Sequence, residues 1–89
     1  MAQEFARMID RRVARRIRER RLYVGMTQYQ LARILGVAFQ QAHKYERGIS
    51  RVSAGRLFHI ATALGTPVEY FFAADETIEM RRMEAGDDD

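Results

Sequence analysis

A short stretch of the chain carries polar side chains whose types and spacing suit the edges of base pairs. In the segment FQQAHKYE the side chains expected to point outward from a helix are Phe39, Gln40, Gln41, His43 and Lys44. A carboxamide both donates and accepts, which suits the N6/N7 edge of adenine, and an ammonium group one turn further along reaches guanine O6 and N7 or a phosphate. No carboxylate precedes Glu46 in this segment. These residue types predict contact with duplex DNA.

Two of these side chains have more than one interpretation. The ring of Phe39 either lies against a thymine methyl group or is partly buried on the preceding helix. His43 either donates to a phosphate or is simply solvated. Neither His43 nor His59 has a nucleophile, a carboxylate partner or a metal-ligand spacing around it. We therefore expect no enzymatic activity, no metal site and no cofactor.

Two short helices joined by a tight turn are predicted to position this segment. Thr27 has the hydroxyl of an N-cap, and Gly36 and Gly48 are placed to end the two helices in a left-handed conformation. The first helix starts at Gln28 and the second runs from about Phe39 to Glu46. The side chains expected to face inward are Leu31, Ala32, Leu35, Ala42 and Tyr45.

A long helix is predicted before this pair, over roughly residues 3–23. Phe5, Ile9, Val13 and Ile17 recur every four residues, and no glycine or proline precedes Gly25. Eight arginines surround this apolar stripe, either as a solvated face or as a DNA contact. They are Arg7, Arg11, Arg12, Arg15, Arg16, Arg18, Arg20 and Arg21.

Only the last turns of this helix are expected to serve the core. Ile17, Leu22 and Val24 are assigned to it, which leaves Phe5 and Ile9 uncovered. These two side chains pack either on the C-terminal segment of the same chain or on a second copy.

A fourth and a fifth helix are predicted after the central pair. Ser50 or Ser53 is expected to cap a helix that runs to about Leu64, with its apolar face inward. Thr66 and Pro67 then form an expected N-cap and first helical position for residues 68–72, where Phe71 and Phe72 close the core. Residues 75–84 are a further helix candidate, with Ile78 and Met83 as weak apolar anchors. The segment ends in three aspartates.

The charge of the chain is strongly asymmetric. Residues 1–56 hold 13 Lys or Arg against 4 Asp or Glu, whereas residues 57–89 hold 2 against 8. A basic half of this strength favours a polyanionic partner. The absence of cysteine excludes disulfides and thiolate chemistry. With no signal peptide and no apolar run of membrane-spanning length, the chain is expected to be a soluble cytoplasmic protein.

From Ile17 to Phe72 the chain resembles the phage repressor/Cro-type, or xenobiotic-response-element-like, helix-turn-helix domains. The resemblance rests on GMTQYQLARILGV, KYERG and LFHIATALGTPVEYFF, in that order. It implies an all-α, five-helix lambda-repressor-like domain whose third helix enters the major groove. The corresponding organisation is an N-terminal helix extension over 1–16, a DNA-binding domain over 17–73 and an acidic tail over 74–89.

The resemblance also implies roles for individual residues. Gln28 matches the position that binds a phosphate and braces the third helix, and Arg51 matches the backbone clamp, with Arg56 a weaker candidate for the same role. Arg21 and Glu46 match a structural ion pair between the first and third helices. Ala38 departs from the family pattern, which has Ser or Thr capping the third helix, at a cost of about 1 kcal/mol.

These observations predict a sequence-specific, double-stranded DNA-binding transcriptional regulator that acts as a repressor. Because one such domain contacts few base pairs, a homodimer is expected, with an interface at Phe5, Ile9 and Phe72. The alternative for the apolar stripe is that the tail folds back over it. The alternative function is an antitoxin that binds both its operator and a toxin protein. A protein-interaction module without DNA binding is disfavoured by the basic, amide-rich third helix.

Overall fold

The computed structural model describes residues 2–73, and throughout that range the regular structure is helical. It consists of α1 (Ala2–Tyr23), α2 (Gln28–Leu35), α3 (Phe39–Arg47) and α4 (Ala54–Ala63), followed by a 3₁₀ helix (Val68–Phe72). The all-α prediction is therefore confirmed for these residues, and the segment predicted as a fifth helix has 3₁₀ geometry. The helix candidate at 75–84 lies outside the described residues, as do Ile78 and Met83.

The helix-turn-helix unit forms for the local reasons expected from the sequence. The Thr27 hydroxyl accepts from the Gln30 amide at 3.1 Å, and the Gln30 side chain accepts from the Thr27 amide at 2.8 Å, which makes a capping box. Gly36 ends α2 with φ of 70°, a conformation that an L side chain would strain. The predicted starts and ends of α2 and α3 agree with the structure to within one residue.

The helix caps before and after α4 differ from some of the expected ones. Ser53, and not Ser50, caps α4, because its hydroxyl accepts from the Arg56 amide at 3.1 Å. The expected Thr66 cap is wrong: Pro67 occupies the N-cap position of the 3₁₀ helix, and no side chain caps it. Proline has no hydroxyl with which to cap the helix. Its ring fixes φ, here −67°, and so holds the backbone at the start of the short helix.

The hydrophobic core lies where α1, α2, α3, α4 and the 3₁₀ helix meet. Phe71, Ile17 and Ile60 are fully buried at its centre. The expectation that Leu22 and Val24 join this core is wrong, since both are exposed. Their place is taken by earlier turns of α1. The buried apolar residues are Val13, Ala14, Ile17, Leu31, Ala32, Leu35, Ala42, Tyr45, Leu57, Ile60, Ala61, Leu64 and Phe71.

Three arginines of α1 tie that helix to the C-terminal elements. Arg12 and Arg16 donate to the carbonyls of Phe72 and Ala73 at 3.2 and 3.3 Å. Arg20 donates through Nε to the Leu64 carbonyl at 3.0 Å, at the end of α4. Helix-end carbonyls lack partners within their own helix, so these guanidinium groups satisfy them. Part of the basic face of α1 is therefore structural.

No helix in the stretch from residue 2 to residue 73 combines the length and the apolar character needed to cross a membrane.

Candidate nucleic-acid interface

The outward face of α3 carries the polar side chains predicted from the sequence. Gln40, His43 and Lys44 are exposed, whereas Gln41 is half-buried. Arg47 is also exposed, one turn beyond Lys44. Sequence reasoning missed Arg47, although its spacing of seven from Gln40 and three from Lys44 places it on the same face.

Phe39 lies at the start of α3 and packs against α2. Its ring stacks on that of Tyr29, with centroids 4.3 Å apart and an interplanar angle of 19°. Phe39 is half-buried as a result, while Tyr29 is exposed. One face of the Phe39 ring is thus covered by the protein. Tyr29 was not singled out from the sequence, because its position in α2 does not indicate a stacking partner ten residues away.

A buried ion pair fixes α3 against α1. Arg21 donates to Glu46 through Nε at 2.6 Å and through Nη2 at 3.0 Å. The Glu46 side chain is fully buried, and that of Arg21 is 8% exposed. Arg21 also donates through Nη1 to the Met26 carbonyl at 2.7 Å. The two-bond geometry holds both the distance and the rotation between the helices.

Gln28 joins this ion pair at the start of α2. Its Nε2 atom donates to Glu46 Oε1 at 3.0 Å, and the residue is half-buried. The same carboxylate therefore receives hydrogen bonds from α1 and α2. Gln28 also lines a concavity of about 730 Å³ together with His43, Arg18 and Arg47. The first turn of α2 and the outward face of α3 thus border one surface.

The two arginines expected at the phosphate backbone differ in their surroundings. Arg51 lies in the loop between α3 and α4, is highly exposed, and pairs through Nε with Asp10 at 3.3 Å. Arg56 is half-buried and donates through Nη1 to the Leu35 carbonyl at 2.8 Å, which satisfies the end of α2. Arg56 therefore has a structural role, whereas Arg51 remains accessible.

The residues expected at a dimer interface differ in exposure. Phe5 is 63% exposed. Phe72 is 45% exposed, so the expectation that it closes the core together with Phe71 is wrong. The expectation that the core leaves Ile9 uncovered is wrong, because Ile9 is half-buried and packs against the core cluster. Met8, one residue earlier, is exposed like Phe5. The exposed apolar surface in the N-terminal half of α1 is thus centred on Phe5 and Met8.

Among residues 2–73, no group of three or more His, Asp or Glu side chains is placed to hold a metal ion.

Comparisons with known proteins identify the same unit. Residues 17–71 match the family model described as helix-turn-helix, of the Cro/C1 type. The crystal structure of the restriction-modification controller protein C.AhdI from Aeromonas hydrophila is similar, with a TM-score of 0.65 and 31% sequence identity. The match covers 68% of this chain and 92% of that one.

Two curated relatives are similar in sequence. An uncharacterised transcriptional regulator in the ATPase CF(0) region of Rhodospirillum rubrum is 51% identical over 65 residues, which are 73% of this chain and 60% of that protein. An uncharacterised HTH-type transcriptional regulator of Sinorhizobium fredii is 45% identical over 76 residues, which are 85% of this chain and 52% of that protein. The chain spans about half the length of the curated relatives it matches.

Proposed function

The chain belongs to the Cro/C1-type helix-turn-helix family, and we propose that it regulates transcription by binding specific sites in double-stranded DNA through α3. One observation carries this proposal. Gln40 and Lys44 lie exposed on the outward face of α3, and their side chains form no hydrogen bond or ion pair with any other described residue. Donors and acceptors that the fold itself does not use are available to base edges.

The geometry of α3 favours the major groove, which admits a helix and presents a distinct pattern for each base pair. The Gln40 carboxamide pairs with the N6/N7 edge of adenine, and Lys44 reaches guanine or a phosphate one turn later. Gln41 and His43 flank them, and the uncovered side of the Phe39 ring faces a thymine methyl group. The opposite face of α3 holds Ala42, Tyr45 and Glu46 in the core.

Phosphate contacts on either side of α3 set its register on the duplex. Gln28 stands in the first turn of α2, where free amides and the helix dipole attract an anion. Arg51 stands in the loop after α3, and its pairing with Asp10 is exposed, so solvent weakens that interaction. A phosphate can therefore replace Asp10 as its partner at little cost.

Selection of a binding site from random duplexes, followed by substitution on α3, tests this proposal. Gln40→Ala and Lys44→Ala are each expected to cost about 1–3 kcal/mol on the selected site and to relax the base preference at one position. Arg51→Ala is expected to weaken binding to all sequences alike. It should also reduce the magnitude of the slope of log K against log salt by about one unit. Arg33→Ala, a loss of one exposed charge on α2, is the control.

If the Gln40 and Lys44 variants bind the selected site as well as wild type does, α3 is not the recognition helix.

We further propose that the protein acts as a homodimeric repressor. A two-fold dimer places two α3 helices about 34 Å apart, one helical turn of DNA, and doubles the number of base pairs recognised. A dimer that occupies an operator blocks RNA polymerase without needing any further contact. We place the interface at Phe5, Ile9 and Phe72, because Phe5 and Phe72 are large apolar side chains exposed to solvent, Ile9 lies one turn from Phe5, and exposed apolar surface can mark a protein–protein interface.

Sedimentation of wild type and of matched aspartate variants tests this interface. Phe5→Asp is expected to dissociate the dimer, whereas Phe58→Asp, at a phenylalanine 68% exposed on α4, is expected to leave it intact. Ile9 is left unchanged, because it packs on the core and its loss would also affect folding. A wild-type protein that is monomeric at tens of micromolar contradicts the homodimer. A chain that is monomeric alone but binds a second protein through Phe5 supports the antitoxin alternative.

A further inference from the structure

We propose that Arg7, Arg11, Arg18 and Arg47 form an arginine track that binds DNA phosphates beyond the helix-turn-helix unit. The proposal rests on the proposed function and extends it to a surface formed by α1 and the C-terminal end of α3. Two of the four arginines, Arg7 and Arg11, precede the residues that match the family model. The track would therefore add contacts that the family unit alone does not supply.

The helical spacing places the three arginines of α1 along one line. At about 100° per residue, positions 7, 11, 14 and 18 lie within one narrow face of the helix. Ala14 occupies this face and is buried against the end of α3. A Cβ atom built on Gly48 would lie 3.7 Å from Ala14 Cβ. The end of α3 therefore meets α1 between Arg11 and Arg18.

Arg47 connects the two parts of this line. It lines a concavity of about 660 Å³ together with Arg7, Arg11 and Arg51. It also lines the neighbouring concavity of about 730 Å³, which contains Arg18, Gln28 and His43. The arginine track thus adjoins Arg51 at one end and Gln28 at the other, and these are the two residues proposed above to hold the phosphate backbone.

The members of the track differ from the structural arginines of α1 in their partners. Arg12, Arg16 and Arg20 donate to carbonyls of the C-terminal elements. The four arginines of the track are exposed, and none of their side chains forms a hydrogen bond or ion pair with another described residue. Their charges are therefore not used to hold the fold together.

The charge density of the track favours a polyanion as its partner. Arg7 and Arg11 are like charges four residues apart on a helix, which destabilises the helix slightly. Asp10 is the only carboxylate among the described residues that line the first concavity, and it already pairs with Arg51. A run of phosphates spaced along a DNA strand neutralises several guanidinium groups at once and releases counterions.

The salt dependence of DNA binding by single and double variants of the full chain tests the track. Arg7→Gln and Arg11→Gln are each compared with Arg33→Gln, which removes one exposed charge from a separate concavity beside Ile34. The slope of log K against log salt is negative, and loss of one phosphate contact reduces its magnitude by about 0.9. The fall in affinity between 50 and 200 mM salt then becomes about 3.5-fold smaller for each single variant and about 12-fold smaller for Arg7→Gln/Arg11→Gln.

The track also predicts what does not change. Phosphate contacts carry no direct sequence information, so the ratio of affinities for the selected site and a random duplex stays at the wild-type value. Arg33→Gln is expected to leave the slope unchanged. Because the substituted side chains are exposed and have no partner in the described fold, all variants should show wild-type helical circular dichroism.

The outcomes separate this inference from the proposed function. A slope equal to that of wild type, or a decrease equal to that of Arg33→Gln, overturns the track and leaves base recognition by α3 standing. An unchanged slope with an altered monomer–dimer equilibrium also overturns it and assigns these arginines to the interface. If wild type selects no site but the slope still falls in the variants, base recognition fails and the phosphate track stands. If wild type binds no duplex, both are wrong.

Discussion

Removing the carboxylate of Glu46 is expected to be among the most damaging single changes in the domain. This carboxylate is fully buried and accepts three hydrogen bonds, two from Arg21 and one from Gln28. In Glu46→Ala the Arg21 guanidinium stays almost buried, with only the Met26 carbonyl as a partner. Breaking a buried ion pair from one side costs about 3–5 kcal/mol. A small domain has a total stability of about 5–15 kcal/mol, so the variant should be close to unfolding.

Removing both charges should have a much smaller effect. Arg21→Met/Glu46→Leu replaces the pair with apolar side chains of similar size, which for buried ion pairs is often neutral or stabilising by about 1–4 kcal/mol. The single variants Arg21→Met and Glu46→Leu should therefore each be less stable than the double variant. Such a result would mean that the stranded charge, and not the lost attraction, causes most of the damage.

Urea unfolding followed by far-ultraviolet circular dichroism measures these differences. Glu19→Ala is the matched control, since Glu19 is about half exposed and pairs with Arg15 and Arg16 at 3.7 and 3.8 Å. Exposed pairs of this kind contribute about 0–1 kcal/mol. If Glu46→Ala loses no more stability than Glu19→Ala, or if the double variant is the least stable of the set, the reasoning about the buried charge is refuted.

Three further substitutions test the local structure of the helix-turn-helix unit through the midpoint of urea unfolding. Thr27→Ala removes the capping box of α2 and should cost about 1 kcal/mol, whereas Ala38→Ser adds the missing hydroxyl and should gain about as much. The backbone of Ala38 already has N-cap geometry, with φ of −67° and ψ of 151°, so no rearrangement is needed. Gly36→Ala introduces a Cβ at a left-handed position and should cost about 1–2 kcal/mol, although nothing lies within 4 Å of that atom. Equal midpoints for the Thr27 and Ala38 variants would contradict the capping argument, and an unchanged midpoint for Gly36→Ala would contradict the strain argument.

The helices of the central unit could be predicted from the sequence because their signals are local. The hydroxyl of Thr27, the left-handed Gly36 and the apolar spacing of Leu31 and Leu35 act within one or two turns of the chain. The two caps stabilise the ends of the helix locally, and the apolar spacing shows which face of the helix is buried. The outward face of α3 followed from the same spacing, once Ala42 and Tyr45 were assigned to the core.

The last turns of α1 could not be predicted from apolar spacing alone. The stripe that includes Val13 and Ile17 continues at the next step of four to Arg21, a charged residue that is buried. A search for apolar residues passes over this position and selects Leu22 and Val24, which point to solvent. Arg21 can be buried there only because Glu46 neutralises it from another helix. That compensation depends on tertiary contact, which spacing in one segment does not contain.

The two sets of arginines on α1 show the same limit. Arg12, Arg16 and Arg20 are spaced by four, as are Arg7 and Arg11, so the spacing places each set along its own face of the helix but does not show which face meets the rest of the domain. The structure separates them, because the first set meets the carbonyls of the C-terminal elements and the second does not. Whether an arginine binds the protein's own carbonyls or remains available to another molecule depends on what packs beside it.

The position of α3 depends on contacts with the rest of the domain more than on its own helical stability. A helix of nine residues without an N-terminal cap is marginal by itself. It is held at its start by the Phe39–Tyr29 stack and near its end by Glu46, and Gly48 beyond it lies close to Ala14 of α1. Because these contacts lie on the side away from Gln40 and Lys44, the recognition face remains free while its orientation is fixed. Substitution of Tyr29, to which no base or phosphate contact is assigned, should therefore lower affinity for the selected DNA site through the placement of α3.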